Sequence, residues 1–384
     1  MLQKLQLIII FIVLGVTAFA QDQYLSAKSE DVEKTYISKQ TYAVKEFPQK
    51  FNSDKPKNII LLIGDGMGVS QVFAGLTANK GRLFLENCKY IGFSKTQSAD
   101  NYITDSAAGG TALSAGVKTY NGAIGVDVNQ NPVKTILEEA SENGLATGLV
   151  STSAITHATP ASFIAHQAGR NSYEDIAADF LKTDIDVFIG GGLEHFTKRK
   201  DGRNLADELK QKGYEVETEM KKIAKVKKGK LAGLTAEVHN GRVDERGDML
   251  PVATETALNI LDNNNKGFFL MIEGSQIDWG GHAGSAIYVV EDMLDFDQVI
   301  GQALEFAAKD KETLVVITAD HETGGMALTG GSITDGVVTT AFPTKDHTSV
   351  MVPVFAYGPG AQEFIGIMEN TDIHAKMKKL LLSK

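Results

Sequence analysis

Asn58-Ile59-Ile60-Leu61-Leu62-Ile63, followed by Gly64-Asp65-Gly66-Met67-Gly68, is the stretch that decides the fold. A short, unbroken aliphatic run bounded by glycine reads as a strand buried on both faces. Beyond the glycine-rich loop, Val69 to Ala78 has the helical period, so the unit is strand, loop, helix. Asp65 stands just past the strand, where a polar residue needs a reason.

The same unit recurs along the chain. Strands are expected at Ala146 to Val150, Asp186 to Ile189, Phe268 to Ile272, Thr313 to Thr318 and Val350 to Ala356. Helices are expected at Ser106 to Ala115, Asn131 to Asn143, Ser172 to Leu181, Pro251 to Leu261, Ala286 to Ala308 and Asp372 to Leu382. Buried strands alternating with helices make an α/β layered domain. No Pro/Ser-rich linker or charge block divides it, so residues 55–384 read as one domain, with additions near 190–247 and 324–345 and a polar N-terminal arm over 21–54.

The chain begins with Lys4, the apolar run Leu7 to Val16 and Ala18-Phe19-Ala20, the pattern of a signal peptide cleaved near Ala20. That apolar run is shorter than the roughly 20 residues of a membrane span, so export without a retained span is expected, to a periplasmic or extracellular place. Cys88 is the only cysteine, which excludes an internal disulfide. The net charge of −10 becomes one unit more negative without Lys4 and argues against a nucleic-acid partner. The lysine run from Lys221 to Lys230 reads as a solvated face.

Polar residues gather just after the strands. Asp65, Thr156-His157-Ala158-Thr159, Glu273 with Asp278 and His282, and Asp320-His321 each follow one, on the carboxyl edge where α/β sheets assemble their sites. Taken singly, each is equally a helix cap or a solvated turn. Together with His347 they form a mixed oxygen and nitrogen set suited to zinc, with a harder, oxygen-rich position beside it. Ser106, opening a small-residue helix after Asp105, is a cap or a nucleophile placed where free backbone N–H groups favour an anion. Arg170 has the planar fork that binds phosphate in bidentate fashion.

These segments, taken in order, resemble the alkaline phosphatase family: Gly64 to Gly68, Thr104-Asp105-Ser106-Ala107-Ala108, Ala158-Thr159-Pro160-Ala161 with Arg170, Glu273 to Asp278 with His282, Thr318 to Gly325, and His347-Thr348. The resemblance runs from about Asn58 to the last helix. It implies a three-layer sandwich around a mostly parallel sheet, and hydrolysis of small phosphate monoesters, broadly and at alkaline pH, through phosphorylation of Ser106. It implies one zinc held by Asp278, His282 and His347 and another by Asp65, Asp320 and His321. A third site, for magnesium or for zinc or cobalt instead, would draw on Asp65, Thr159, Glu273 and His157. Arg170 would clamp the phosphate, and the resemblance is compatible with a homodimer.

Two positions depart from the best-known bacterial pattern. His157 stands in place of an aspartate, and Trp279 in place of a lysine that reaches phosphate, so Trp279 lies at a substrate-binding position. A softer ligand at His157 implies weaker magnesium binding. The competing readings are a sulfatase, a phosphodiesterase or nucleotide pyrophosphatase of the same superfamily, and a secreted metal-binding protein without turnover. Ser106-Ala107-Ala108-Gly109-Gly110 lacks the Pro and Arg of a sulfatase motif, phosphodiesterases of this kind usually carry a Thr nucleophile, and pure metal binding leaves a serine on the helix N-terminus unexplained.

Overall fold

The computed structural model describes residues 34–382, so the expected leader at residues 1–20 lies outside the described residues. Ten strands build one sheet: β1 (Asn58–Gly64), β2 (Tyr90–Lys95), β3 (Ala146–Ala154), β4 (Val187–Gly191), β5 (Tyr214–Glu217), β6 (Lys230–Leu234), β7 (Phe268–Gly274), β8 (Thr313–Thr318), β9 (Val352–Tyr357) and β10 (Gly366–Glu369). Their order is β10-β2-β9-β8-β1-β7-β3-β4-β6-β5. Only β9 runs antiparallel to its neighbours β2 and β8. The sheet is otherwise parallel.

Because side chains alternate across a strand, the aliphatic run of β1 feeds two cores at once. Ile60 and Leu62 join Leu270 and Ile272 beneath helices α1 (Val69–Ala78), α3 (Met249–Leu261) and α5 (Ala286–Asp310). Ile59, Leu61 and Ile63 join Phe269 and Met271 on the opposite face, under α2 (Ser106–Ala115) and α6 (Asn370–Leu382). The result is helix, sheet, helix: three layers. Between β7 and α5, the short helix α4 (Gln276–Ala283) stays close to the carboxyl edge.

Several expected elements shift. The helix expected from Asn131 starts only at Ile136, because Thr135 and Glu138 close a reciprocal cap: the Glu138 N–H donates to Thr135 Oγ1 (3.2 Å) and the Thr135 N–H to Glu138 Oε2 (2.9 Å). The helix expected over Ser172 to Leu181 is shorter, Tyr173–Asp179, while α3 and α6 each begin two residues early. Strands β2, β5, β6 and β10 escape the sequence reading, since they are short, with none of the aliphatic continuity of β1, and all but β6 are partly exposed. Two of them, β5 and β6, lie in the charged segment 190–247 and extend the sheet edge. Within 324–345, Ala327–Ser332 and Val337–Ala341 pair with each other, and Thr35–Ile37 adds a third strand to them.

One buried carboxylate ties the N-terminal segment to the 84–85 turn, beside the bonds that Asn79 and Asn87 make to residues 42–49. Asp297 on α5 accepts hydrogen bonds from Tyr42 Oη (2.7 Å) and from the backbone N–H groups of Phe84 (2.8 Å) and Leu85 (3.0 Å). Asp297→Ala would orphan three buried or half-buried donors, at about 1–3 kcal/mol each, so a total loss of at least about 3 kcal/mol is expected. Thermal unfolding with metals held saturating measures it; a change within about 0.5 kcal/mol, the usual range for a bland surface site, would contradict the assignment.

Candidate metal centre

Parallel strands deliver their carboxyl ends to one edge, and the polar residues sit there. Asp65 follows β1, His157 and Thr159 follow β3, Glu273 is near the end of β7, and Asp320 and His321 follow β8. Asp278 and His282 lie one turn apart on α4, on the same face. His347 is brought in by a two-residue bridge that pairs Glu322–Thr323 with His347–Thr348. Three groups of ligand atoms result, each within 4.8 Å of one another: Asp278, His282 and His347; Asp65, Asp320 and His321; and Asp65, His157 and Glu273.

Hydrogen bonds fix which imidazole nitrogen faces inward. His347 Nδ1 donates to the Thr104 carbonyl (3.0 Å), and His282 Nδ1 faces the Lys345 carbonyl. Their Nε2 atoms therefore point at each other across 3.1 Å, with Asp278 Oδ1 3.3 and 3.5 Å away. Two lone pairs and a carboxylate converge there, so a proton or a cation must lie between them. In the metal-free protein the proton is held on His282: burial opposes its charge, but the Asp278 carboxylate outweighs that and lifts its pKa to about 9. Thr323 Oγ1 donates to Asp278 Oδ1 and so accepts from His321 Nδ1 (3.2 Å). His321 Nε2 then faces Asp320 Oδ2 (3.3 Å), Asp65 Oδ1 (3.4 Å) and Ser106 Oγ (3.2 Å). Such outer hydrogen bonds orient metal-binding histidines generally.

The carboxylates are equally prepared. Asp320 Oδ1 is occupied by the N–H groups of Gly66 and His321, which leaves Oδ2 for the cluster. Glu273 Oε2 accepts from the hydroxyls of Ser151 (2.5 Å) and Ser275 (2.7 Å), which leaves Oε1. Thr159, on the short helix Ala158–Ala161, is buried near Glu273, and its Oγ1 makes no hydrogen bond. Both oxygens of Asp65, Oδ2 of Asp320, Oε1 of Glu273 and Nδ1 of His157 are buried without any hydrogen bond. Buried polar atoms are seldom left so. Oxygen and imidazole donors, orphaned and converging, fit divalent metals, and they make metal-binding groups.

Ser106 opens α2 behind its cap, Asp105. Asp105 Oδ1 accepts from the Ala108 N–H (3.0 Å), while Oδ2 accepts from Arg170 Nη1 (2.9 Å), so one carboxylate both caps the helix and aims the guanidinium. Arg170 Nη2 lies 3.4 Å from His157 Nε2. Trp279 is buried, its ring edge-on to His239 (5.0 Å) and to His157 (6.2 Å). Sequence reasoning assigned His239 no role; it sits in the 190–247 segment, whose path no periodicity reveals. His195, also without a sequence-level role, bonds Thr156 Oγ1 (2.7 Å) and stacks on Tyr173. His166 bridges Gly125 and Glu138, away from the cluster.

Without cations these carboxyls burden the fold. Burial first, then Asp278 and Glu273, raises the Asp320 pKa to about 7, and burial with Asp320 and Asp278 raises that of Asp65. An unfolded aspartate titrates near about 4, below the folded value, so the favourable contribution is complete below about pH 4 and is lost as pH climbs through about 7. Chelator-stripped protein should therefore melt progressively lower between pH 5 and pH 8, and saturating zinc should abolish most of that decline. Parallel melting curves for stripped and zinc-loaded protein across this range would contradict the cluster's role.

Comparison with known proteins agrees with this geometry. The alkaline phosphatase family model matches residues 56–341. Alkaline phosphatase 4 of Bacillus subtilis is 37% identical over 82% of this chain and 87% of its own length. The alkaline phosphatase of Escherichia coli is 33% identical over 86% of this chain and 87% of its own. The solved alkaline phosphatase of the Antarctic bacterium TAB5 superposes with a TM-score of 0.81 at 43% identity, covering 86% of this chain and 99% of that one. Variants of that enzyme with a histidine changed to aspartate or glutamate are described with magnesium bound in a site called M3. This chain belongs to the alkaline phosphatase family and is a hydrolase of phosphate monoesters.

Proposed function

We propose that Ser106 is the nucleophile, that hydrolysis passes through a phosphoserine, and that the centre takes zinc at the Asp278–His282–His347 and Asp65–Asp320–His321 groups. The observation that carries this reading is the position of Ser106 Oγ, 3.2 Å from His321 Nε2 at the N-terminus of a buried helix. The metals, when bound, supply positive charge that acidifies the serine hydroxyl and the attacking water and offsets charge on the leaving oxygen.

The remaining work falls to the chain. Ser106 gives its proton to solvent and its oxygen bonds phosphorus while the ester oxygen departs on the opposite side and takes a proton from water to leave as the alcohol. The free N–H groups at the start of α2 and the Arg170 fork take up the non-bridging oxygens, whose charge spreads in the transition state. Asp105 keeps that fork aimed, so the guanidinium is pre-organised and does not reorient during the reaction. Water then attacks the phosphoserine from the side vacated by the alcohol, the Ser106 oxygen leaves, and phosphate is released. This reading asks for no contact to the alcohol, so the substrate range is broad, with an alkaline optimum.

At the third group, Asp65, Glu273, Thr159 and His157 hold magnesium, or zinc or cobalt in its place. Magnesium prefers oxygen ligands in octahedral array, so the His157 imidazole weakens its hold. Magnesium in the aspartate and glutamate variants of the Antarctic relative supports that reading. Trp279, standing beside the phosphate position without a charge, favours release of product. Export by the leader at residues 1–20, a catalytic domain over 55–384 and a homodimer complete the proposal; among the described residues no helix is long and apolar enough to cross a membrane.

Two outcomes test the reading. Ser106→Ala should lower kcat by at least about 10³-fold at unchanged zinc content, with the acid-stable phosphoprotein formed from labelled substrate lost. Full activity in that variant would remove Ser106 from its role. Zinc-loaded enzyme should gain activity on addition of millimolar magnesium or cobalt; one tightly held magnesium per chain with no activation would remove His157 from the third site.

A further inference from the structure

Glu322 is a buried carboxylate that no step above uses, and no cation faces it through any of its bonds. Oε1 accepts from Gln71 Nε2 (2.8 Å) and the Met326 N–H (3.0 Å). Oε2 accepts from the Gly325 N–H (3.2 Å) and from Thr348 Oγ1. A carboxylate buried with neutral donors alone is retained for geometry, since its desolvation is otherwise unfavourable.

Its partners lie on or beside three of the four segments that bring ligands to the two zinc groups, all but α4. Gln71 continues to the Asp65 loop, its Oε1 accepting from the Gly68 N–H (3.1 Å) and its Nε2 also donating to the Thr323 carbonyl (3.0 Å). Gly68 must be glycine for this approach, because a Cβ there would come 2.5 Å from Glu322 Cγ. Glu322 itself follows Asp320 and His321 directly. Thr348 neighbours His347, and the Glu322–Thr348 and Thr323–His347 pairs are the whole of that bridge. Within the two zinc groups, His347 is the one ligand that neither closely follows a strand of the main sheet nor lies on the helix α4.

We infer that Glu322 is a positioning residue that anchors the His347 segment, and thereby sets zinc affinity at the Asp278–His282–His347 group. The inference rests on the proposed zinc assignment. Gln at this position keeps the shape but turns one acceptor into a donor that faces a pair of donors. The His347 segment then loses its tie to Glu322 and keeps only the Thr104 carbonyl to orient the ring, while Asp320 keeps its bonds from the Gly66 and His321 N–H groups.

The test compares unmodified protein, Glu322→Gln, Thr348→Val and His347→Ala, each loaded with zinc, passed over a chelating resin and assayed for metal content and for competition with a chromophoric chelator. Glu322→Gln should retain one fewer zinc per chain, with affinity at that site lowered about 10-fold or more, and excess zinc should restore kcat. Thr348→Val should shift affinity the same way by less. Zinc content and affinity equal to the unmodified protein in Glu322→Gln overturn the inference even if its melting point falls, since a purely structural role moves only the latter. If Glu322→Gln does not fold, unchanged affinity in Thr348→Val overturns it. Unchanged zinc in His347→Ala would instead overturn the ligand assignment beneath, and the inference with it.

Discussion

Four carboxylates and three imidazole Nε2 atoms converge on one edge of the sheet, and they are compatible only with positive charge between them. Asp65, Asp320, Asp278 and Glu273 are all fully or almost fully buried, and Arg170 is the guanidinium whose field reaches Asp65. Hydrogen bonds around the cluster turn spare atoms inward: Thr104 and Lys345 carbonyls orient two imidazoles, Thr323 a third, and Ser151 with Ser275 one carboxylate. Both oxygens of Asp65, Oδ2 of Asp320, Oε1 of Glu273 and Nδ1 of His157 are left without a hydrogen bond, and divalent metals fit what remains.

That arrangement follows from the parallel sheet. Strands β1, β7 and β8 are adjacent and in register, with Ile63 level with Glu273 and Thr318, so the residues that follow or end them share one edge. Aliphatic side chains on both faces of β1 lock the strand between two helical layers and keep its end rigid. Ser106 and Arg170 come from outside the sheet and depend on Asp105, which joins a helix cap to a guanidinium clamp. A displaced Asp105 would misplace both the nucleophile and its counter-charge.

The parts legible in the sequence were those with local signatures. The run Asn58 to Ile63 announces a central strand, α1 and α2 match their expected spans, and every expected metal ligand lies in one of the three groups or, for Thr159, against Glu273. Strands such as Tyr214–Glu217 and Gly366–Glu369 were not legible, because sheet edges exposed to water lack continuous apolar residues and take their identity from a partner strand. His239 was hidden for the same reason: it approaches Trp279 and His157 only after the chain returns through the 190–247 segment. Glu322 stood in a quoted motif, yet its meaning lies in four donors from three segments.

The central claim is that metals occupy these groups of atoms. Crystals of the zinc-loaded protein measured on either side of the zinc absorption edge test it most directly. The account predicts strong anomalous peaks among Asp278, His282 and His347 and among Asp65, Asp320 and His321, with Ser106 Oγ adjoining the second. Empty anomalous maps at these positions, or zinc bound elsewhere on the protein, would contradict it.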